Sequence, residues 1–249
     1  MWINDLRREI KKCTRCRLSE TRQHALCGEG NINARFFLIA QAPGEKEDME
    51  GRMFIGPSGK VLDELLDATG IDRKEIYMTN LVKCMLPKNR RPKQKEIESC
   101  APYLEQELEA VDPEVIVTLG MHAWRFVLEV HNLGGLFKNK LDDVCGRLLW
   151  TGDKKVMPLY HPAAMLHNPS LEDRMRKDYS KLGILRTECK WFSVCPMKVF
   201  YEAGRLDREW IELYCKGNWE SCVRFVMEES GEAHPDWMLP DGGMDERLR

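Results

Sequence analysis

Cys13 and Cys16 stand at C-x-x-C spacing, and eight more cysteines follow in a chain of 249 residues. Such a pair is either redox-active or half of a metal site. A redox pair sits at the start of a helix that follows a strand. The segment before Cys13 instead reads as a short helix, with Ile3, Leu6 and Ile10 at helical spacing. A metal half-site needs two more soft ligands, and Cys84 and Cys100 are the candidates in the main part of the chain. Cys84 lies just past a strand-like run and Cys100 on the helix after it, joined by a loop that lets them converge. Four thiolates suit zinc or an iron–sulfur cluster, while two thiols that merely pack are the plain alternative. Zinc sites favour two close pairs, so the wide spacing of Cys84 and Cys100 leans towards a cluster. A second set, Cys189, Cys195, Cys215 and Cys222, crowds the C-terminal part beside Trp191, Trp210, Trp219 and Trp237. It fits a second cluster, a zinc ion, or four buried thiols in a helical tail.

The elements that must position these residues come from apolar periodicity. Four apolar runs of strand length, 36–40, 76–82, 115–119 and 156–160, are bounded by turn signals. Helical patterns lie between them at 57–68, 94–111 and 121–130. Strands alternating with helices predict a three-layer α/β/α fold around a central, mostly parallel four-stranded sheet. Ligands bind such sheets beyond the carboxyl ends of the strands. Polar residues stand at those ends: Gln41 after the first run, Asn80 closing the second, His161 after the fourth. The expected domains are 1–186, carrying the sheet, and 187–249, a small cysteine-rich helical module.

Composition narrows the function. Hydrophobic residues are 43% and charged residues 31%, which is ordinary for a globular protein. No apolar run is long enough to span a membrane, and the N-terminus carries no signal-peptide core, so a cytoplasmic monomer is expected. In that setting ten cysteines argue for metal ligation over disulfides. The net charge of −2 gives no global nucleic-acid signal, so any such surface must be local. The basic run from Lys88 through Arg90 and Arg91 to Lys95 is the candidate.

Six segments in order carry a resemblance: Cys13-Thr14-Arg15-Cys16, Gln41-Ala42-Pro43-Gly44-Glu45-Lys46-Glu47-Asp48, Gly51-Arg52-Met53-Phe54-Ile55-Gly56, Tyr77-Met78-Thr79-Asn80-Leu81-Val82-Lys83-Cys84, Val115-Ile116-Val117-Thr118-Leu119-Gly120 and His161-Pro162-Ala163-Ala164-Met165-Leu166. The stretch resembles the family-4 uracil-DNA glycosylases, the iron–sulfur branch of that superfamily. The resemblance implies a 4Fe–4S cluster on Cys13, Cys16, Cys84 and Cys100, and a DNA substrate whose uracil is flipped into a pocket and cut from its sugar. It implies that Phe54 stacks on the base and Asn80 reads its edge, since an amide offers both a donor and an acceptor. It places His161 against uracil O2, where a donor stabilises the leaving anion. Gln41, Ala42 and Pro43 would form the water site and pocket floor, with Glu47 as a flanking acid. Met165 would be the wedge that fills the vacated stack, and Lys88, Arg90 and Arg91 would meet phosphate.

The chain departs from the family pattern at Ala40-Gln41, where Gly-Glu is usual, and at His167, where Arg is common. Without that carboxylate the attacking water is positioned and not deprotonated. Two other readings share the motifs: a superfamily enzyme for another deaminated base, and a binding or trapping protein. Covalently trapping relatives carry a nucleophilic His in a basic loop, and residues 85–92 contain none.

Overall fold

The computed structural model describes residues 2–130, 140–151, 154–185 and 188–249. They form two compact units, Met1–Tyr179 and Ser180–Arg249. The boundary expected at 186/187 falls on residues outside the described ones.

In the first unit come α1 (Trp2–Lys12), β1 (Glu29–Gly30), β2 (Phe36–Ala40), α2 (Glu45–Glu50), α3 (Pro57–Asp67) and β3 (Ile76–Asn80). After them run α4 (Gln94–Val111), β4 (Val115–Leu119), α5 (Met121–Val130), α6 (Leu141–Val144), β5 (Leu149–Thr151), β6 (Lys154–Leu159) and α7 (Ala163–His167), while α8 (Glu172–Leu185) begins in this unit and ends in the second. Strands with no polar alternation must be covered on both faces. Every residue of β2, β3 and β4 is buried. These strands and β6 run parallel in the order β3-β2-β4-β6, with Phe36 opposite both Ile76 and Val115 and Val117 opposite Met157. This is the four-stranded parallel centre expected from the sequence. It is extended to six strands by β1 and β5, which pair antiparallel at the two edges. Segments of two and three residues carry no readable period, which is why the sequence does not announce them. Asn80 ends its strand two residues earlier than the apolar run suggests, and β6 spans 154–159 instead of 156–160. No helix among the described residues is long and apolar enough to cross a membrane.

One polar cluster sits inside this apolar core. Lys83 and Glu107 pair at 2.6 Å with side chains only 2% and 1% exposed. The Lys83 ammonium also donates to Thr79 Oγ1 at 2.7 Å and to the Asn80 carbonyl at 2.9 Å. The Glu107 carboxylate accepts from the Gly28 amide and the Thr79 hydroxyl. The Lys83 carbonyl accepts from the Leu26 amide at 2.7 Å. β3, α4 and the segment entering β1 are thus fastened at one point. Removing one member of a buried pair leaves the other uncompensated, at a cost of roughly 3–5 kcal/mol. Lys83→Met should lower stability by about that much, and Lys83→Met with Glu107→Gln should lower it by less than the two single changes added together. Thermal unfolding of the three variants checks this. Additive losses would mean that the pair is not coupled.

Candidate active site

The carboxyl ends of β2, β3 and β6 open into a cavity of about 440 Å³. Gln41, Ala42, Pro43 and Glu47 line it from the turn after β2 and from α2. Phe54, Asn80 and His161 line it from the loop before α3, the last residue of β3 and the turn after β6. These seven residues are the catalytic and substrate-binding candidates of the sequence, and the fold gathers all of them.

The Phe54 loop is held in a conformation that L-residues avoid. Phe54 has φ +52°, a strain of order 1–3 kcal/mol that its surroundings must offset. Arg73 donates to the Met53 and Phe54 carbonyls at 2.8 and 3.0 Å and pairs with Asp63 of α3. Gly59 allows α3 to ride over this loop, since a Cβ there would sit 1.8 Å from the Phe54 carbonyl oxygen. The buried Glu47 accepts the Gly56 amide at 2.8 Å, and a Cβ on Gly44 would lie 2.6 Å from its other oxygen. Glu47 is therefore a brace of the pocket wall as well as a wall residue. No sequence pattern singles out Arg73, an arginine between two turns.

His161 lies 6.0 Å from Phe54, ring to ring, at 25°. Its Nδ1 accepts the Ala163 amide at 3.1 Å, so the proton of the neutral ring resides on Nε2. Burial drives His161 down to about 4, against a smaller upward pull from the Glu47 charge. Near neutral pH the site thus holds an uncharged imidazole with a single N–H donor. Asn80 is buried, and its amide Nδ2 donates to Met53 Sδ at 3.2 Å. Sulfur is a weak acceptor, so a ligand carbonyl could displace it readily.

Around the mouth the candidate residues differ in placement. Leu166 and His167 line the cavity, and Leu166 is 49% exposed. Met165, the residue expected to be the wedge, is half-buried and does not line it. Within the five-residue α7, one step along the chain turns a side chain by about 100°. Lys88 and Arg91 are exposed beside Asn89, which reaches the cavity. Arg90 is engaged instead: both guanidinium nitrogens bind Glu96, at 2.8 and 2.6 Å, where that carboxylate also accepts the Lys93 amide at the start of α4.

Cys84 and Cys100 are buried, with Cys13 and Cys16 half-buried against the same core. Burial raises Cys100 to about 11 and raises Cys84 too, and the nearby thiols add to both: Cys84 and Cys16 for the first, Cys16 and Cys13 for the second. Donors suited to thiolate surround them. Arg22 donates to Cys84 Sγ at 3.0 Å and to the Cys13 carbonyl at 2.5 Å. Tyr103 hydrogen-bonds to Cys13, with Arg15 over its ring at 4.3 Å. An anionic sulfur cluster fits that donor set.

The chain is similar to known proteins over most of its length. The profile of the Uracil DNA glycosylase superfamily matches residues 27–183. A Type-4 uracil-DNA glycosylase of Archaeoglobus fulgidus is 38% identical over 187 residues, 74% of this chain and 92% of that protein. One from Sulfurisphaera tokodaii is 34% identical over 213 residues, 84% of this chain and 93% of that protein. One from Thermotoga maritima is 40% identical over 166 residues, 66% of this chain and 83% of that protein.

A folded histidine near 4 and an unfolded one near ~6.5 give a defined pH signature. The unfolded chain binds the extra proton between these values, so stability falls as pH drops from about 6.5 to about 4. Nitrogen-15 NMR should show His161 as the Nε2–H tautomer, titrating near 4, and His161→Gln should reduce the acid loss of stability in that window. A ring titrating near 6.5, or protonated on Nδ1, would contradict the assignment.

Proposed function

The chain belongs to the Uracil DNA glycosylase superfamily, and on that premise we propose that it removes uracil from DNA, hydrolysing the N-glycosidic bond and leaving an abasic site. The observation that carries the reading is the neutral His161, with its Nε2–H, across one cavity from the buried Asn80 amide and against Phe54.

A base inside a duplex is out of reach, so the nucleotide is flipped into the cavity. Phe54 stacks on the base. The Asn80 amide leaves Met53 to donate to uracil O4 and accepts from N3–H. The imidazole Nε2–H donates to O2. When the bond from C1′ to N1 breaks, its electron pair goes to the uracil ring and spreads onto O2, while the sugar becomes an oxocarbenium ion. A neutral donor waiting at O2 stabilises that anion without first losing a proton, the logic of an oxyanion hole. Gln41 orients the water that adds to C1′. An amide cannot take a proton, but a cationic carbon does not need hydroxide. Glu47 keeps the Phe54 loop in place and sets a negative charge beside the nascent cation.

At the mouth, Leu166 takes the place of the departed base in the stack, the role the sequence gives to Met165. Lys88 and Arg91 meet backbone phosphate, with Arg90 committed to Glu96. Cys13, Cys16, Cys84 and Cys100 would hold a 4Fe–4S cluster, tying the segment after α1 to the segment after β3 and to α4. None of the chemistry passes through it. The donors from Arg22 and Tyr103 support this assignment.

If His161 acts on the leaving group, its contribution exists mainly in the transition state. His161→Ala should lower the single-turnover rate of uracil excision on the order of 100-fold with DNA affinity nearly intact. Asn80→Ala should weaken both capture and rate. Asn80→Asp should gain slow excision of cytosine, whose exocyclic amine can donate to a carboxylate. Excision assays on matched uracil and cytosine duplexes decide the matter: a fully active His161→Ala would take this histidine out of the mechanism.

A further inference from the structure

The superfamily profile ends at residue 183, before Cys189, Cys195, Cys215 and Cys222. All four of these cysteines line one cavity of about 190 Å³ inside the unit Ser180–Arg249. They arrive there from separate places. Cys189 precedes a turn, and its amide donates to the Cys215 carbonyl at 2.8 Å. Cys195 precedes α9 (Pro196–Glu202), Cys215 ends the π-helical turn Ile211–Cys215, and Cys222 precedes α10 (Val223–Ser230). None is in a disulfide.

Three features of this cavity point to an anionic occupant. The first is a set of backbone N–H groups near sulfur that favour thiolate: those of Trp191 and Phe192 beside Cys189, the latter amide also donating to the Cys189 carbonyl at 2.9 Å, and those of Arg224 and Phe225 beside Cys222. The second is a pair of donors with no acceptor. Arg224 is buried and lines the cavity; its Nη1 is spent on the carbonyls of Pro235, Asp236 and Met238, yet its Nε finds nothing. The indole N–H of Trp219, also on the wall, is buried and unpartnered. Buried donors are rarely left so in a folded protein. The third is the size of the core. Met197, Leu206, Ile211, Cys215 and Leu248 are the buried residues of the apolar cluster in this unit. A unit of that size needs a staple beyond such a core.

We propose that Cys189, Cys195, Cys215 and Cys222 hold a second 4Fe–4S cluster, around which the C-terminal unit folds. The choice of cluster over zinc rests on dimensions. Tetrahedral zinc draws its sulfurs to ~2.3 Å from one point. A cavity of about 190 Å³ has room for several waters at ~30 Å³ each and suits a multi-atom cube. Each thiolate then binds its own iron, and the amide, indole and guanidinium donors face thiolate and sulfide sulfur, the hydrogen bonds that tune such clusters.

The proposal is independent of the excision reading, and the full-length chain tests it without an activity assay. Purified anaerobically, wild type should contain roughly eight irons and eight acid-labile sulfides per chain, about four for each cluster. Cys195→Ser, at a half-buried ligand, should lose about half of both, and Cys84→Ser should lose the other half. Wild type with only about four irons, all lost in Cys84→Ser, would overturn the proposal. So would one zinc per chain that disappears in Cys195→Ser. The wild-type count needs no variant, so it decides the question even where a substituted chain fails to fold.

Discussion

An ammonium and a carboxylate shut away from water, Lys83 and Glu107, fix the geometry on which both ends of the first unit depend. Such a pair is not retained for net stability, because desolvation offsets most of its attraction. What it supplies is position. Lys83 satisfies the Asn80 carbonyl at the end of β3, and its own backbone continues into Cys84. Glu107 belongs to α4, the helix that also carries Cys100 and Tyr103. A shift of the pair would therefore move the Asn80 amide together with Cys84 and Cys100. A hydrophobic pair of equal volume could fill the space, but it could not hold the Thr79 hydroxyl, the Gly28 amide and the Asn80 carbonyl in one arrangement.

The opposite wall of the cavity is preorganised by strain. Phe54 keeps its positive φ because Arg73 holds the two carbonyls of the loop, Gly59 allows the helix to approach, and Glu47 pins Gly56. All of these are set before a ligand arrives, so the cost is met in folding and not in binding. The same wall accounts for His161. The ring lies parallel to Phe54 at 6.0 Å, half-buried on the cavity wall, and the amide of Ala163 chooses its tautomer. A histidine whose proton state is fixed by packing is a donor of constant character across the neutral range.

Much of this was legible in the sequence, for a physical reason. Buried parallel strands must be uniformly apolar, so 36–40 and 115–119 were readable to the residue, and the rule that ligands gather at carboxyl ends located Gln41, Asn80 and His161. The amphipathic period of α4 gave its bounds as 94–111. The losses occurred where tertiary partners override local pattern. Glu107 sits in the middle of the buried face of α4, and Lys83 lies next to a cysteine in what reads as a basic surface turn. Neither could be known as buried without the other. Arg90 looked free because Glu96 is six residues away and meets it only when the helix start is capped. That Leu166 and not Met165 lines the cavity was not readable, because a helix of one turn has no period long enough to fix its facing. The edge strands β1 and β5 borrow their geometry from the strands beside them.

Burial acts with opposite results on the two kinds of titratable group in this protein. It drives His161 down, so the imidazole stays neutral, and it drives thiols up, to about 11 at Cys100 and upward at Cys84 and Cys215. In each case the charged form is the one that low polarity rejects. In the proposed mechanism the histidine exploits the result directly, since a neutral N–H is the donor that a departing anion needs. The cysteines cannot. Four neutral thiols ligate nothing, and mutual repulsion forbids four thiolates without a cation. In the proposed clusters, metal binding would supply the charge that ionises them, releasing protons as it does so. Assembly of a thiolate centre and closure of the chain around it would then be one event, because the folded shell that excludes water also bars the thiols from ionising alone.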